Sequence, residues 1–126
     1  MGYEAPGRTT DLGPVHDVLI AGDFPVNRVQ VDIPAGAALV RGTVMGRITA
    51  GGNFIQSLST AVDGSQTPVA ILLEDVPVSG AARIGVVGRT GEYAFQKLIL
   101  GASHTRASIE QGLRALSIFF RDIQED

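Results

Sequence analysis

Apolar and polar side chains alternate along several short stretches of this chain, which is the pattern of strands with one buried face. Val29, Val31 and Ile33 alternate with polar neighbours over one such stretch. Pro34 follows, and its missing N–H donor ends the predicted strand. Residues 69–73 are apolar without interruption, so we predict a strand covered on both faces at the centre of the core.

The segment VRGTVMGRITAGG, residues 40–52, contains four glycines and raises the question of a phosphate-binding loop. Such a loop needs four residues between its glycines, then lysine and a helix, whereas three residues separate Gly42 from Gly46. By parity these two glycines lie on the inward face with Val40, and Met45 interrupts the alternation. We therefore interpret the glycines as sites of a bulge, a bend or a close backbone approach.

Turn residues divide the middle of the chain into further strands. Asp63 and Gly64 suit a tight turn, so we interpret Asp63 as a turn residue rather than a catalytic acid. Ile84 and Val86 alternate before the sequence GRTGE, and extended character resumes over residues 93–100. We predict a second hairpin there.

The helical period appears near the C-terminal end. Ser108 and Gln111 have the spacing of a capping box, and we predict one short helix over residues 105–115. The segment SIFF, residues 117–120, either ends this helix or forms a short closing strand. The apolar residues at helical spacing are Ile109, Leu113, Leu116 and Phe120.

Length and composition restrict the class of protein. The 126 residues fit a single domain, and 44% of them are apolar. The first 15 residues have three glycines and two prolines with little apolar periodicity, so we predict a flexible arm at 1–15 and a β domain at 16–126. A net charge of -3 with scattered basic residues argues against direct nucleic-acid binding, and we find no apolar run of about 20 residues for a membrane span.

Residues with catalytic or metal-binding chemistry are few. Cysteine is absent, and neither His16 nor His104 has a second ligand at the spacing of a zinc site. The residue types of a nucleophile triad are present as Ser59, His16 and Asp17, but the sequence has no nucleophile elbow. We expect no enzyme activity, cofactor or metal.

Four segments together resemble, in order and spacing, the lambdoid and related bacteriophage head decoration proteins. The resemblance covers about residues 20–120 and leaves only the arm and the acidic tail outside. Each segment is short, so the specificity lies in their collinear order. The segments are IAGDFPV (20–26), LVRGTVMGRIT (39–49), VDGSQTPVAILLEDV (62–76) and GLRALSIFF (112–120).

This resemblance implies a mainly β fold of the β-clip kind, a bent ribbon or small barrel with one short C-terminal helix. It also implies a homotrimer that binds the outer surface of the expanded head, in the virion, and stabilises the shell against packaged DNA after synthesis in the bacterial cytoplasm. The arm would contact the major capsid protein, and Met45, Ile118 and Phe119 would be buried against neighbouring subunits. The candidate arm contacts are Tyr3, Glu4, Pro6, Arg8, Thr9, Thr10 and Leu12.

Two other classes share glycine-rich β architecture. A biotinyl or lipoyl carrier domain needs a lysine at an exposed hairpin tip, but Lys97, the only lysine, lies in FQKLI, which we interpret as mid-strand. A trimeric nucleotide hydrolase of the dUTPase kind needs an aspartate and tyrosine in one hairpin, and neither Tyr3 nor Tyr93 has that neighbourhood. A decoration protein remains our preferred interpretation.

Overall fold

The computed structural model describes residues 19–122, which form seven β-strands and one α-helix arranged in two layers. The first five strands make one antiparallel sheet in the order β1-β5-β4-β2-β3, and β6 pairs with β7 in parallel. The elements are β1 Arg28–Ile33, β2 Val44–Arg47, β3 Phe54–Gln56, β4 Pro68–Leu72, β5 Arg83–Gly88, β6 Gly91–Ala94, a 3-10 turn Phe95–Lys97, α1 Arg106–Ala115 and β7 Ile118–Arg121. The protein is mainly β with one short α-helix, as the sequence predicted.

Strand β4 lies at the centre of the large sheet, and both of its faces are buried. Ile71 and Leu73 face a helix-side core, which they share with α1, β6 and β7. Ala70 and Leu72 face a sheet-side core, whose members come from the large sheet and the loop after β4. Burial on both faces therefore explains the uninterrupted apolar run of residues 69–73, as the sequence predicted.

The large sheet curls around the sheet-side core without closing into a barrel. Strands β1 and β3, its two edges, approach within 8 Å between Cα atoms but exchange no ladder pairing. The architecture is therefore a bent ribbon rather than a closed barrel.

The glycine-rich segment shapes the sheet, as predicted. A Cβ on Gly42 would come within 2.6 Å of the Lys97 carbonyl oxygen, and φ at Gly42 is +99°. A Cβ on Gly46 would overlap the backbone of Ser65, at the point where the pairing of β2 with β4 shifts register. Both glycines permit close backbone approach, and the register shift supplies the bulge.

One assignment within that segment was wrong. Val40 lies before β2 and is 47% exposed, so it is not on the inward face. Met45 does interrupt the alternation of apolar and polar residues, and the reason is that adjacent Val44 and Met45 are both fully buried, one in each core. A strand between two cores needs apolar residues at consecutive positions.

The predicted second hairpin was also wrong. Strand β5 pairs with β1 and β4, whereas β6 begins at Gly91 and pairs with β7 in the other layer. A positive φ of +132° at Gly91 lets the chain leave the large sheet here. Ile84 is 69% exposed, whereas Val86, two residues further along β5, packs against the helix-side core.

Helix α1 spans Arg106–Ala115, as predicted, but its capping box lies three residues earlier than the sequence suggested. Thr105 is the N-cap, its hydroxyl accepts a hydrogen bond from the Ser108 N–H, and Ser108 Oγ accepts one from the Thr105 N–H. The proposed pair of Ser108 and Gln111 was therefore wrong by three residues. Of the open alternatives for residues 117–120, the structure has the strand, and Leu116 is the C-cap of the helix.

The apolar residues assigned to contacts with neighbouring subunits are largely accounted for within the chain. Met45 and Ile118 are buried in the sheet-side and helix-side cores. Phe119 is partly buried and stacks edge to face on Phe24 at 5.2 Å between ring centroids. The exposed apolar side chains are others, with Val62, Val78 and Ile84 the most exposed among residues 19–122.

Replacing Ile71 with alanine should destabilise the domain by about 2 to 5 kcal/mol, because the side chain is fully buried in β4. Ile84→Ala is a matched control on an exposed site and should change the free energy of unfolding by no more than about 0.5 kcal/mol. Urea unfolding measures both. Equal losses for the two variants would contradict the central position of β4.

Replacing Gly46 with alanine should cost about 1 to 3 kcal/mol, because the added methyl group would overlap the Ser65 backbone. Gly80→Ala is the control, since no atom lies within 4 Å of the new Cβ there. Thermal unfolding of both variants tests the structural role of Gly46. Unchanged stability of Gly46→Ala would show that the close approach is not a packing constraint.

Candidate functional site

The predicted arm lies outside the described residues, so its seven candidate contacts, from Tyr3 to Leu12, remain predictions. His16 and Asp17, proposed for a triad, lie outside them as well. The structure does show where the arm would join the domain. We call this junction the arm root and define it as Leu19, Phe24, Glu92, Phe119 and Arg121.

The first described residues are fixed to the edge of β6. The Ala94 N–H donates to the Leu19 carbonyl at 2.7 Å, and the Ala21 N–H donates to the Glu92 carbonyl at 2.9 Å. Between them, Ile20 forms an antiparallel bridge with Tyr93. The Leu19 side chain is 1% exposed and lies in the helix-side core. Residues 19–21 therefore form a short extra strand that attaches the preceding chain to the domain.

The Glu92 carboxylate links this entry segment to β7. One oxygen accepts the Phe24 N–H at 3.2 Å, and the other accepts Arg121 Nη1 at 2.8 Å. The Phe24 backbone hydrogen bond, together with the hydrogen bond and charge of Arg121, lowers the pKa of Glu92 below its ordinary value. Gly22 has no side chain to displace the carboxylate from this position. No local sequence pattern indicates this link, because Glu92 and Arg121 are 29 residues apart.

Ser57 and His104 are in contact elsewhere in the domain, but the contact has a structural role. Ser57 Oγ lies 3.0 Å from His104 Nε2, and His104 Nδ1 lies 3.5 Å from the Ser108 hydroxyl. Ser57 is fully buried, so a substrate has no access to its hydroxyl. The contact fastens the loop before α1 to the end of β3. Ser59, the serine proposed for a triad, is exposed in the following loop.

Other residues that were considered as candidates for catalysis or cofactor attachment also have structural roles. The Asp63 carboxylate accepts hydrogen bonds from the Ser65 N–H and hydroxyl at 3.0 and 2.6 Å, which confirms a turn residue and lowers its pKa. Lys97 ends a 3-10 turn, so its mid-strand assignment was wrong. Tyr93 is fully buried and donates to the Thr90 carbonyl at 2.7 Å, and burial raises the pKa of Tyr93 to about 12.

Neither a metal centre nor a spanning helix emerges from the described part of the chain. Within residues 19–122, no three histidine, aspartate or glutamate side chains come together in a group that could hold a metal ion. The helices of this part are too short or too polar to cross a bilayer.

Comparison with known proteins identifies one protein family. The family model described as Bacteriophage lambda head decoration protein D matches residues 9–120. The match covers the whole large sheet, α1 and the arm root except Arg121, and it begins within the predicted arm. A search of curated proteins found no significant match.

Glu92→Gln should remove part of the acid sensitivity of the domain. Because the folded pKa lies below the ordinary value of 4.5, ionised Glu92 stabilises the fold above that pH, and the contribution disappears as pH falls through the folded value. Urea midpoints of wild type and Glu92→Gln should therefore differ near about pH 6, and the difference should shrink as pH falls below 4.5 and through the folded pKa of Glu92. Glu74→Gln, at an exposed site, serves as the control. Parallel pH profiles for wild type and Glu92→Gln would refute this role of Glu92.

Proposed function

Since the chain belongs to the bacteriophage lambda head decoration protein D family, we propose that it binds the outer surface of the expanded phage head as a homotrimer and stabilises the shell against packaged DNA. Membership of this family identifies the chain as a structural decoration protein of the phage head. The match over residues 9–120 is the observation that carries the proposal, because it includes the folded domain and the end of the arm. The major capsid protein is the proposed partner.

The arm is the proposed attachment element. An extended arm that adds a strand to a sheet of the capsid protein gains backbone hydrogen bonds without a deep pocket. Pro6 and Pro14 lack N–H donors, so they restrict the register of such pairing. The proposed contacts are Tyr3, Glu4, Pro6, Arg8, Thr9, Thr10 and Leu12.

The arm root supports a mechanical role for the domain. A force on the arm would reach Leu19, whose side chain lies in the helix-side core and whose carbonyl is bonded to β6. Glu92 continues the connection to β7 through Arg121. A load on the arm is therefore shared by the core of the domain rather than by one loop.

Trimer formation strengthens attachment by multivalency. Once one arm is bound, the other two bind at a high effective concentration, so three modest affinities give long-lived attachment. Exposed apolar side chains are available for contacts between subunits, and Val62 and Val78 are 94% and 71% exposed. Burial of such residues against neighbours is a common use of exposed apolar surface.

Deletion of residues 1–15 should abolish shell binding and leave thermal stability nearly unchanged, because the root contacts of residues 19–21 remain. Co-sedimentation with expanded and unexpanded shells of the host phage measures binding, and light scattering measures the mass of the free protein. We expect the full chain to be trimeric and to pellet selectively with expanded shells.

The controls separate the parts of this proposal. Full-length protein that stays in the supernatant with expanded shells would refute shell binding. Truncated protein that pellets as well as the full chain would refute the role of the arm. A monomeric mass for the full chain would refute the homotrimer.

A further inference from the structure

The large sheet has two edges whose backbone groups point into an open seam. Arg89 donates its N–H to the Asn27 carbonyl at 2.9 Å, so Asn27 and alternate residues after it turn their backbone toward β5. Arg28, Gln30 and Asp32 consequently turn their N–H and carbonyl groups away from β5. No strand of residues 19–122 pairs with β1 on that side.

Strand β3, on the opposite side of the seam, also has backbone N–H and carbonyl groups that point away from its partner strand. Ser57 donates to the Val44 carbonyl at 2.9 Å, and Ile48 donates to the Asn53 carbonyl at 2.7 Å. Odd-numbered residues of this stretch therefore bond to β2, and Phe54 and Gln56 turn their backbone groups outward. The seam is bordered by free donors and acceptors from both edge strands.

A cleft of about 410 Å³ opens at one end of this seam, and we call it the seam cleft. Its lining combines the apolar side chains of Phe54 and Ile84 with polar and charged ones. Such a mixture suits a peptide segment better than a purely apolar ligand. The residues that define the seam cleft here are Gln30, Asp32, Arg47, Phe54, Ile84 and Arg89.

Two arginines give the seam cleft its charge. The guanidinium groups of Arg47 and Arg89 make no hydrogen bond or ion pair within residues 19–122, whereas Arg83 donates to three backbone carbonyls. Arg89 lies over the Phe54 ring, with Cζ 5.7 Å from the ring centroid. The Arg47 guanidinium lies against Gly52, where a Cβ would come within 2.8 Å of Nη2.

Charge and shape together indicate the occupant. The lining contains two arginines and one carboxylate, Asp32, so it carries a net positive charge of one if all three are ionised. Unpaired guanidinium groups bind carboxylates with charge-assisted hydrogen bonds, and outward N–H groups of edge strands bind extended backbone.

We propose that the seam cleft is a second attachment surface, which receives an extended, carboxylate-bearing segment of the phage shell. The segment crosses the seam, inserts its carboxylate toward Arg47 and Arg89, and bonds to the outward backbone groups of the edge strands. This inference rests on the proposed shell binding. It adds to the arm a contact made by the folded domain itself.

The test is shell binding by Arg47→Glu, compared with Arg114→Glu. Both arginines are exposed, the charge change is the same, and Arg114 lies on α1 away from the seam cleft. Titration with expanded shells should show binding about tenfold weaker for Arg47→Glu, and within about twofold of wild type for Arg114→Glu. Added salt should weaken wild-type binding more than that of Arg47→Glu.

A variant that is expected to strengthen shell binding distinguishes a specific effect from a loss of folding, because misfolding would only weaken binding. Asp32→Asn removes the negative charge of the lining, which would repel an incoming carboxylate, so it should tighten shell binding. Arg47→Gln, a milder change, should weaken binding less than Arg47→Glu. Thermal unfolding and light scattering establish that each variant is folded and has the wild-type mass.

The outcomes distinguish this inference from the proposed function. Failure of wild type to bind shells would refute the function and the inference together. Wild-type binding with equal affinities for Arg47→Glu and Arg114→Glu would refute the seam cleft alone. A changed oligomeric mass of Arg47→Glu, with shell binding intact, would make the occupant a second copy of this chain and also overturn the inference.

Discussion

The burial of one strand on both faces is the constraint on which the rest of this structure depends. Strand β4 contributes Ile71 to the helix-side core and Leu72 to the sheet-side core, and both side chains are fully buried. The two cores therefore cannot loosen independently, because a shift of β4 opens both. Close packing of this kind gives a small domain the stiffness that the proposed stabilisation of a phage shell requires.

The same packing decides how residues 19–24, which follow the predicted arm, are held to the domain. The arm root is fastened to β6 by backbone hydrogen bonds and to β7 by Glu92 and Arg121, and both strands cover the helix-side core. The proposed attachment by the arm is thus mechanically connected to the stability of the core. For a protein proposed to hold a shell against internal pressure, such a connection places the load on the most tightly packed part of the molecule.

The open seam between β1 and β3 leaves two strand edges unpaired, and polar side chains along β1 limit the association with other chains that unpaired edges promote. Free strand edges promote association with other chains, and polar or charged edge residues such as Arg28, Gln30 and Asp32 limit it. The same polar edge remains available to a partner of matching charge. A closed barrel would have satisfied these backbone groups internally and removed that possibility.

The sequence by itself determined the features that depend on local geometry. Alternation located β1, the continuous apolar run located β4, helical spacing located α1, and the spacing of Gly42 and Gly46 indicated backbone contacts rather than a phosphate site. The order of four short segments was sufficient for the family, which the family comparison confirmed. The arm contacts from Tyr3 to Leu12 remain a prediction from the sequence.

Only the tertiary structure decided which strands are partners and which face is covered. A period of two identifies a strand but not its neighbour, so β6 was assigned to β5 when it pairs with β7. Ile84 and Met45 are both apolar, yet the first is exposed and the second buried, because the layers cover one position and not the other. The link from Glu92 to Arg121 and the meeting of two arginines in the seam cleft arise from long-range packing, for which a single sequence contains no local signal.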